Sequence, residues 1–502
     1  MNVFRTKSVE QSIADTDEPG HKLKKDLGAL DLVVFGVGVI IGAGIFVLTG
    51  TVAASNSGPA IALSFVIAGL ACALAALCYA EFASTVPVAG SAYTFSYATF
   101  GELIAWIIGW DLALEFTIGS SALAVGFSGY LQELLNGTAL ALPASLTSAE
   151  SGLVNLPAVV VALVVMAVLI LGIKLSSMIN QVVVAIKIVV VVAVIVVGIG
   201  FIKISNYTPF IPPSKPVAGA TGGFSDLPLI TSLLGVDPAV FGFAGVVSGA
   251  AVVFFAFIGF DIVATTAEEA KNPQRDVPIG ILGSLAIVTV LYVAVSLVIT
   301  GMQSYTDIDP EDAAPLTTAF DAVGVEWMGN LVAVGACIGL TVVVMILMLG
   351  QSRVAFAMAR DGLLPRGLAK VHPKFGTPYR ITLITGVVVA AIAGFVDLRT
   401  LADLVSIGTL FAFVLVSVGV VILRRTRPDL PRAFRVPAAP VVAGLAVLLC
   451  VYLMLNLTGA TWIRFLVWMV VGLAVYFLYG YRNSRAGQRQ QTTEQRESML
   501  EP

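Results

Sequence analysis

The sequence predicts an all-α membrane protein of twelve transmembrane helices: two inverted five-helix repeats followed by two further helices. Three observations carry that prediction. The 502 residues are 58% hydrophobic and only 12% charged, with a mean hydropathy of +0.96, so too little polar surface exists to cover a soluble globule. Twelve apolar stretches follow one another, most of them long enough for a hydrocarbon core about 30 Å thick at about 1.5 Å of rise per residue. Lys and Arg gather on alternate sides of these stretches, as the positive-inside rule requires.

In chain order the stretches near 30–53, 59–84, 100–131, 155–173 and 178–202 form the first repeat, 30–202. Those near 240–267, 278–301, 328–358, 381–397 and 400–423 form the second, 240–425, and 437–457 and 460–481 complete the set within 437–481. Residues 1–29 read as a cytoplasmic tail without the apolar core and cleavage site of a signal peptide, so the first span is expected to target the chain. Residues 203–239 read as an extracellular loop, because the prolines and glycines of NYTPFIPPSKPVAGATGGF (206–224) forbid a further helix. Residues 482–502 read as a second cytoplasmic tail. With both termini inside, 23 of the 28 Lys and Arg are cytoplasmic; Lys203, Lys215, Arg399 and Arg464 lie outside and Lys187 lies in the membrane. The expected location is the plasma membrane, as a monomer or weak oligomer.

Glycine interrupts two spans. GVGVIIGAGIF (36–46) places Gly36, Gly38, Gly42 and Gly44 inside the first, where a lipid-embedded helix must satisfy its own backbone. Gly38 and Gly42 form a GxxxG, which by itself suits helix packing equally well. The sixth span carries a second interruption in FFAFIGFD (254–261). Two breaks five spans apart match an inverted repeat whose discontinuous helices face a site near the midplane. On that pairing Gly36 and Gly38 serve close packing, and Gly42 and Gly44 mark where the helix opens.

Charges inside the apolar runs are costly and therefore informative. Lys187, in VVVAIKIVVV, stands about nine residues into the fifth span, roughly 13 Å deep. It reads as a proton-handling or charge-gating group, with a structural lysine held by carbonyls as the alternative. Asp111 and Glu115 are four apart in GWDLALEF and share a helix face, and Asp261 stands mid-span in the sixth helix. These three are candidate substrate or gating charges, and each also admits a purely structural pairing.

Other chemistry has no residues to support it. The two histidines, His21 and His372, lie in expected cytoplasmic segments, and neither an H-E-x-x-H pattern nor a phosphate-binding G-x-x-x-x-G-K-[ST] loop occurs. The four cysteines all sit in apolar runs and read as small buried hydrophobes. No catalytic set, metal, cofactor or nucleic-acid partner is expected, and work would draw on an ion gradient. Sequons at Asn136 and Asn206 fall in expected outside loops.

Four segments together closely resemble the amino acid, polyamine and organocation superfamily, and most of all its cationic amino acid transporter branch. They are GVGVIIGAGIFVLTG, YAEFASTVPVAGSAYTFSYATFGELIAWIIGWDLALEF (79–116), FFAFIGFDIVATTAEEAKNPQRDVPIGI (254–281) and GQSRVAFAMARDGLLP (350–365). The resemblance spans about residues 24 to 435 and implies a LeuT-like 5+5 inverted repeat with discontinuous helices one and six. It implies that the amides of Gly42, Ala43 and Gly44 hold a substrate carboxylate, while the carbonyls of Ile40, Phe255, Ala256 and Ile258 take its amine. Helix polarity agrees, because a half-helix N-terminus favours an anion and a C-terminus a cation. It also implies that Lys187 occupies the place of a sodium ion between spans one and eight, touching Thr341 and the backbone near Gly36. Several relatives have hydroxyl residues where this chain has Ala43, Val342 and Val343, which argues against sodium, a cation that needs oxygen ligands.

The resemblance implies a secondary transporter importing an L-amino acid with a proton, the first and sixth spans rocking against spans three, four, eight and nine. An exchanger of cationic or neutral amino acids, and more remotely a non-transporting amino acid sensor, are the alternatives. Leu340, Thr341 and Phe260 are expected to shape the side-chain pocket, the apolar Leu340 favouring small neutral substrates, whereas Glu115 or Asp261 would suit a cationic one. The loop AEEAKNPQRDVP (267–278) is read as a gate of solvated salt bridges in preference to a docking motif.

Overall fold

The computed structural model describes residues 5, 27–85, 91–148, 152–172, 177–216, 224–235, 239–266, 270–485 and 487–488. The main helices are α1 (Ala29–Ile40), α2 (Ile61–Thr85), α3 (Glu102–Leu135), α4 (Leu156–Ile170), α5 (Ser177–Gly198), α6 (Gly242–Val253), α7 (Phe260–Thr265), α8 (Pro273–Met302), α9 (Glu326–Arg360), α10 (Tyr379–Phe395), α11 (Leu398–Thr426), α12 (Ala439–Leu455) and α13 (Gly459–Val475). Strand structure among the described residues is confined to Lys215–Pro216 paired antiparallel with Ala239–Val240. Among the described residues, eight helical segments are long and apolar enough to cross a membrane: Gly44–Thr85, Glu102–Leu135, Gln181–Phe201, Gly242–Ala264, Pro273–Met302, Glu326–Arg360, Leu398–Thr426 and Gly459–Asn483. Four shorter apolar helices, α1, α4, α10 and α12, accompany them. Most of the two tails lies outside the described residues.

Local chemistry sets the helix ends. The Gly28 N–H donates to Asp31 at the start of α1 (2.9 Å), and Asn155 accepts from the Ala158 N–H at the start of α4 (3.3 Å). Asp397 caps Thr400 at 2.7 Å, and Thr458 caps Thr461 at 3.3 Å. Pro157 and Pro273 occupy first turns, where a missing N–H costs nothing.

Packing distinguishes centre from edge. Of the apolar stretch within Gly242–Ala264, 94% is buried, against 22% of that within Gly459–Asn483, so the former is central and the latter lies at the edge. α3 runs along α9, α8 along both α1 and α2, and α10 along α4. The edge helix α13 is fastened to α3 through indoles. Trp110 and Trp468 stack at 4.5 Å and exchange N–H to carbonyl bonds of 2.9 and 3.2 Å, and Trp106 donates to the Gly472 carbonyl at 2.9 Å. In hydrocarbon each indole N–H needs such an acceptor. At the basic end Arg424 grips Glu81 through Nε at 2.8 Å, and the Val436 N–H donates to the same carboxylate at 2.7 Å. This joins the end of α2 to the last turn of α11 and to the segment after it.

Gly38 lies against Val184 of α5 so closely that a Cβ there would overlap the valine methyl, and Gly36 meets Ser284 of α8 in the same way. These two glycines therefore serve close packing of α1. Gly38→Ala is expected to lower stability by about 1–3 kcal/mol through overpacking. Gly38→Ala with Val184→Ala should recover most of the loss, read as melting temperature in detergent; equal melting of wild type and single variant would refute the contact.

Candidate functional site

Both glycine-bearing spans are broken, and the breaks face each other. α1 stops at Ile40, Ile41 is extended (ψ 96°), and after a bend at Gly42 the chain resumes as a widened helical turn over Gly44–Leu48. In the sixth span α6 tightens into a turn over Phe254–Phe257, Ile258 is extended (ψ 139°), and Gly259 takes φ 114° before α7 begins. That left-handed φ favours glycine, and a Cβ there would sit 2.7 Å from a Val39 methyl. Gly44 abuts Ala256 with no room for a Cβ, so the two breaks touch. The helix thus opens at Ile41–Gly42, while Gly44 is already helical and supplies the close approach.

A helix that ends inside the membrane leaves carbonyls behind and amides ahead without intrahelical partners. Behind the first break, Lys187 Nζ donates to the carbonyls of Gly38 at 2.7 Å and Ile41 at 2.9 Å. The lysine is 1% exposed, and Gly339 of α9 presses on its stem, leaving only 2.6 Å between a Cβ there and Cε. The amine thus meets the backbone two residues past Gly36, and its bonds do not include Thr341. Gly36 lies earlier in α1, where the i→i−4 ladder of the helix takes its carbonyl. Thr341 instead turns its hydroxyl to the Cys337 carbonyl at 2.8 Å.

Of the carbonyls expected to meet an amine, two have a shared partner that sequence reasoning missed. The Tyr292 hydroxyl of α8 lies 2.7 Å from the Ile40 carbonyl and 2.8 Å from that of Ala256, bridging the breaks with one proton. Its ring packs on Phe65 and Phe257. A lone tyrosine in the apolar run AIVTVLYVAVSLVI was the available signal, since a buried phenol must find an acceptor. The Phe255 carbonyl accepts from the Ile258 N–H at 3.3 Å. Tyr130, also missed, donates to the Phe46 carbonyl at 2.5 Å and pins the resumed half-helix to α3.

Gly42, Ala43 and Gly44 stand at the head of that half-helix, the position whose N–H groups a helix leaves free. Ala43 and Leu340 both approach Gly126 of α3, at 3.5 and 3.6 Å from a Cβ built there, and Leu123 flanks Gly42. The environment is apolar, and Ala43 and Leu340 are fully buried. Phe260, directly after Gly259, packs in an aromatic group with Tyr79 and Phe413.

The three candidate acids come together beside that group. Asp111, Glu115 and Asp261 are at most 1% exposed, and Glu115 lies within electrostatic reach of the other two. Asp261 occupies the first turn of α7, where the helix field favours a carboxylate. Neither oxygen of Asp111 has a hydrogen-bond partner among the described residues, and neither does the buried Tyr79 hydroxyl, which all three acids reach electrostatically. Tyr79 is a further participant that sequence reasoning missed.

A cavity of about 570 Å³ opens towards the loops at the end remote from the basic segments, lined at its inner part by Leu48, Val125 and Val252. Its outer wall carries Glu133, Asp309, Glu311, Asp312 and Asp397 against Arg399. Burial holds the Asp312 carboxyl above its usual range despite the bond it accepts from Thr318. Of the two sequons, Asn206 spends its side-chain amide on the Gly301 carbonyl at 2.8 Å. In the 267–278 loop, residues 267–269 lie outside the described residues, and Lys271 and Arg275 have no ion-pair partner among the described ones.

Comparison with known proteins agrees with this architecture. Residues 27–476 match the family model for amino acid permeases. The chain is 47% identical to a branched-chain amino acid permease of Bacillus subtilis (strain 168), over 97% of this chain and 99% of that one. It is 46% identical to a methylthioribose transporter of the same organism, over 96% and 99%. It is 41% identical to the vacuolar cationic amino acid transporter 4 of Arabidopsis thaliana, over 85% of this chain and 68% of that protein. With apolar helices enough for repeated crossings and relatives that are permeases and transporters, not enzymes, this chain is a multi-pass membrane protein belonging to the amino acid permease family of the amino acid, polyamine and organocation superfamily.

Proposed function

We propose that the chain is a proton-coupled symporter that imports a neutral L-amino acid across the plasma membrane by alternating access. Both termini are cytoplasmic, and the twelve crossings form inverted repeats over 30–202 and 240–425, with 437–481 adding the last two. The observation that carries this reading is the Lys187 amine on two carbonyls of the broken first span. Two acceptors satisfy both protons of a neutral amine and two of the three on an ammonium, so the seat holds the lysine in either state. A proton taken up there is felt directly by the break that would bind substrate.

The substrate carboxylate takes the amides of Gly42, Ala43 and Gly44, and the amine takes the carbonyls of Ile40, Phe255, Ala256 and Ile258. Tyr292 covers Ile40 and Ala256 when the site is empty and gives way to the amine. Thr341 and Gly36 support the lysine from farther along their helices. The apolar surroundings of Leu340 and the relative named for branched-chain amino acids support a neutral side chain. The buried acids Asp111, Glu115 and Asp261 serve as gating charges. The relative named for methylthioribose favours a second reading, a neutral thio-sugar substrate without an amino acid backbone.

Proteoliposome uptake of leucine, alanine, arginine and methylthioribose, with and without an inward proton gradient, separates these readings. The proposal expects gradient-driven accumulation of a neutral amino acid without preloading. Uptake only into vesicles preloaded with amino acid would establish exchange instead. Lys187→Ala is expected to retain substrate binding and lose accumulation driven by the proton gradient; undiminished accumulation would defeat the coupling role.

Tyr292→Phe tests the amine seat. Removing the hydroxyl strands two buried carbonyls, at a cost of about 1–3 kcal/mol. The ligand-free variant should therefore melt lower than wild type, and saturating substrate should raise its melting temperature by more than it raises that of wild type. Equal ligand-induced shifts would place the amine elsewhere.

A further inference from the structure

Beside the start of α8 runs an open groove of about 1190 Å³, away from both helix breaks. Its mouth carries Lys271 and Arg275, both exposed and without an ion-pair partner among the described residues. Asp276, the neighbour of Arg275 in sequence, is buried and accepts the Asn272 N–H at 3.1 Å. Beyond the mouth the wall turns apolar, with Pro278, Ile279, Leu282 and Phe434. The same face of α8 continues past the groove through Ile287 and Val290, which are 45% and 68% exposed. Basic mouth and apolar wall thus lie in line at one end of a membrane-crossing helix, the end that the Lys and Arg distribution assigns to the cytoplasm.

We propose that this groove binds a glycerophospholipid with an anionic headgroup, its phosphate on Lys271 and Arg275 and an acyl chain along Ile279, Leu282 and Ile287. Two cations at the depth of a headgroup complement the negative cytoplasmic leaflet, and an apolar wall in register with the hydrocarbon complements a chain. A small soluble anion would use the mouth but gain nothing from the wall. The site is also placed to matter for movement. The Lys271 N–H donates to the Leu27 carbonyl at 2.8 Å, and Leu27 pairs with Ala270, so the mouth is fastened to the foot of α1. A lipid held there braces the junction at which the segment after α7, the start of α8 and the broken first span meet.

Native mass spectrometry of the full-length protein in detergent, with phosphatidylglycerol and phosphatidylcholine of identical chains, tests the site. Wild type is expected to retain phosphatidylglycerol in clear preference, and Lys271→Gln with Arg275→Gln to lose that preference by roughly tenfold or more. Lys271→Arg with Arg275→Lys should keep it, and Ile279→Gln should weaken retention with both charges intact. Because these side chains are exposed, melting temperatures should stay close to wild type. Unchanged preference in the double glutamine variant, or equal retention of the two lipids by wild type, would overturn the proposal. So would displacement of phosphatidylglycerol by inorganic phosphate or glycerol phosphate, which would make the mouth an anion site alone.

Discussion

A helix that stops in mid-membrane leaves carbonyls that hydrocarbon cannot solvate, and in this chain Lys187 takes two of them, those of Gly38 and Ile41, at 2.7 and 2.9 Å. Much of the central architecture answers to that constraint. α5 must lie close enough to α1 for the lysine to reach, which is why Gly38 carries no side chain against Val184. α9 must cover the lysine stem, which is why Gly339 lies against Cε. The opposite side of the break is held by Tyr130 on the Phe46 carbonyl, so each half of the first span has its own anchor on a neighbouring helix.

The second break repeats the problem, and the two are solved together. Gly44 against Ala256 brings the interruptions into contact, and one phenol, that of Tyr292, spans a carbonyl from each. A single proton cannot fully satisfy two acceptors, so the bridge leaves both carbonyls short of a full hydrogen bond. A ligand that brings several N–H donors improves on it. Breaks that are expensive to leave unsatisfied in lipid are for that reason suited to a ligand bearing both an anion and a cation.

The helices and the positions of both interruptions were legible in the sequence, because apolar runs of membrane-crossing length and glycines within them are local signals. Lys187, Asp111, Glu115 and Asp261 were legible for the same reason, as charges in the wrong solvent. What was not legible depends on rotation about a helix axis. Moving two residues along α1, from Gly36 to Gly38, turns a carbonyl by about 200°, and nothing local says which one faces α5. Tyr292 and Tyr79 are ordinary tyrosines until folding places their hydroxyls between segments distant in sequence. The Glu81 grip on Arg424 joins residues 343 apart, a pairing no periodicity reports.

The central claim is that the lysine keeps the first span open in a form ready for substrate, and hydrogen exchange on the segment 36–48 tests it most directly. With Lys187→Met, amides of this segment should exchange faster than in wild type while those of α3 do not, and in wild type saturating substrate should slow the same segment. Exchange in 36–48 that is indifferent both to the loss of the lysine and to substrate would contradict the account.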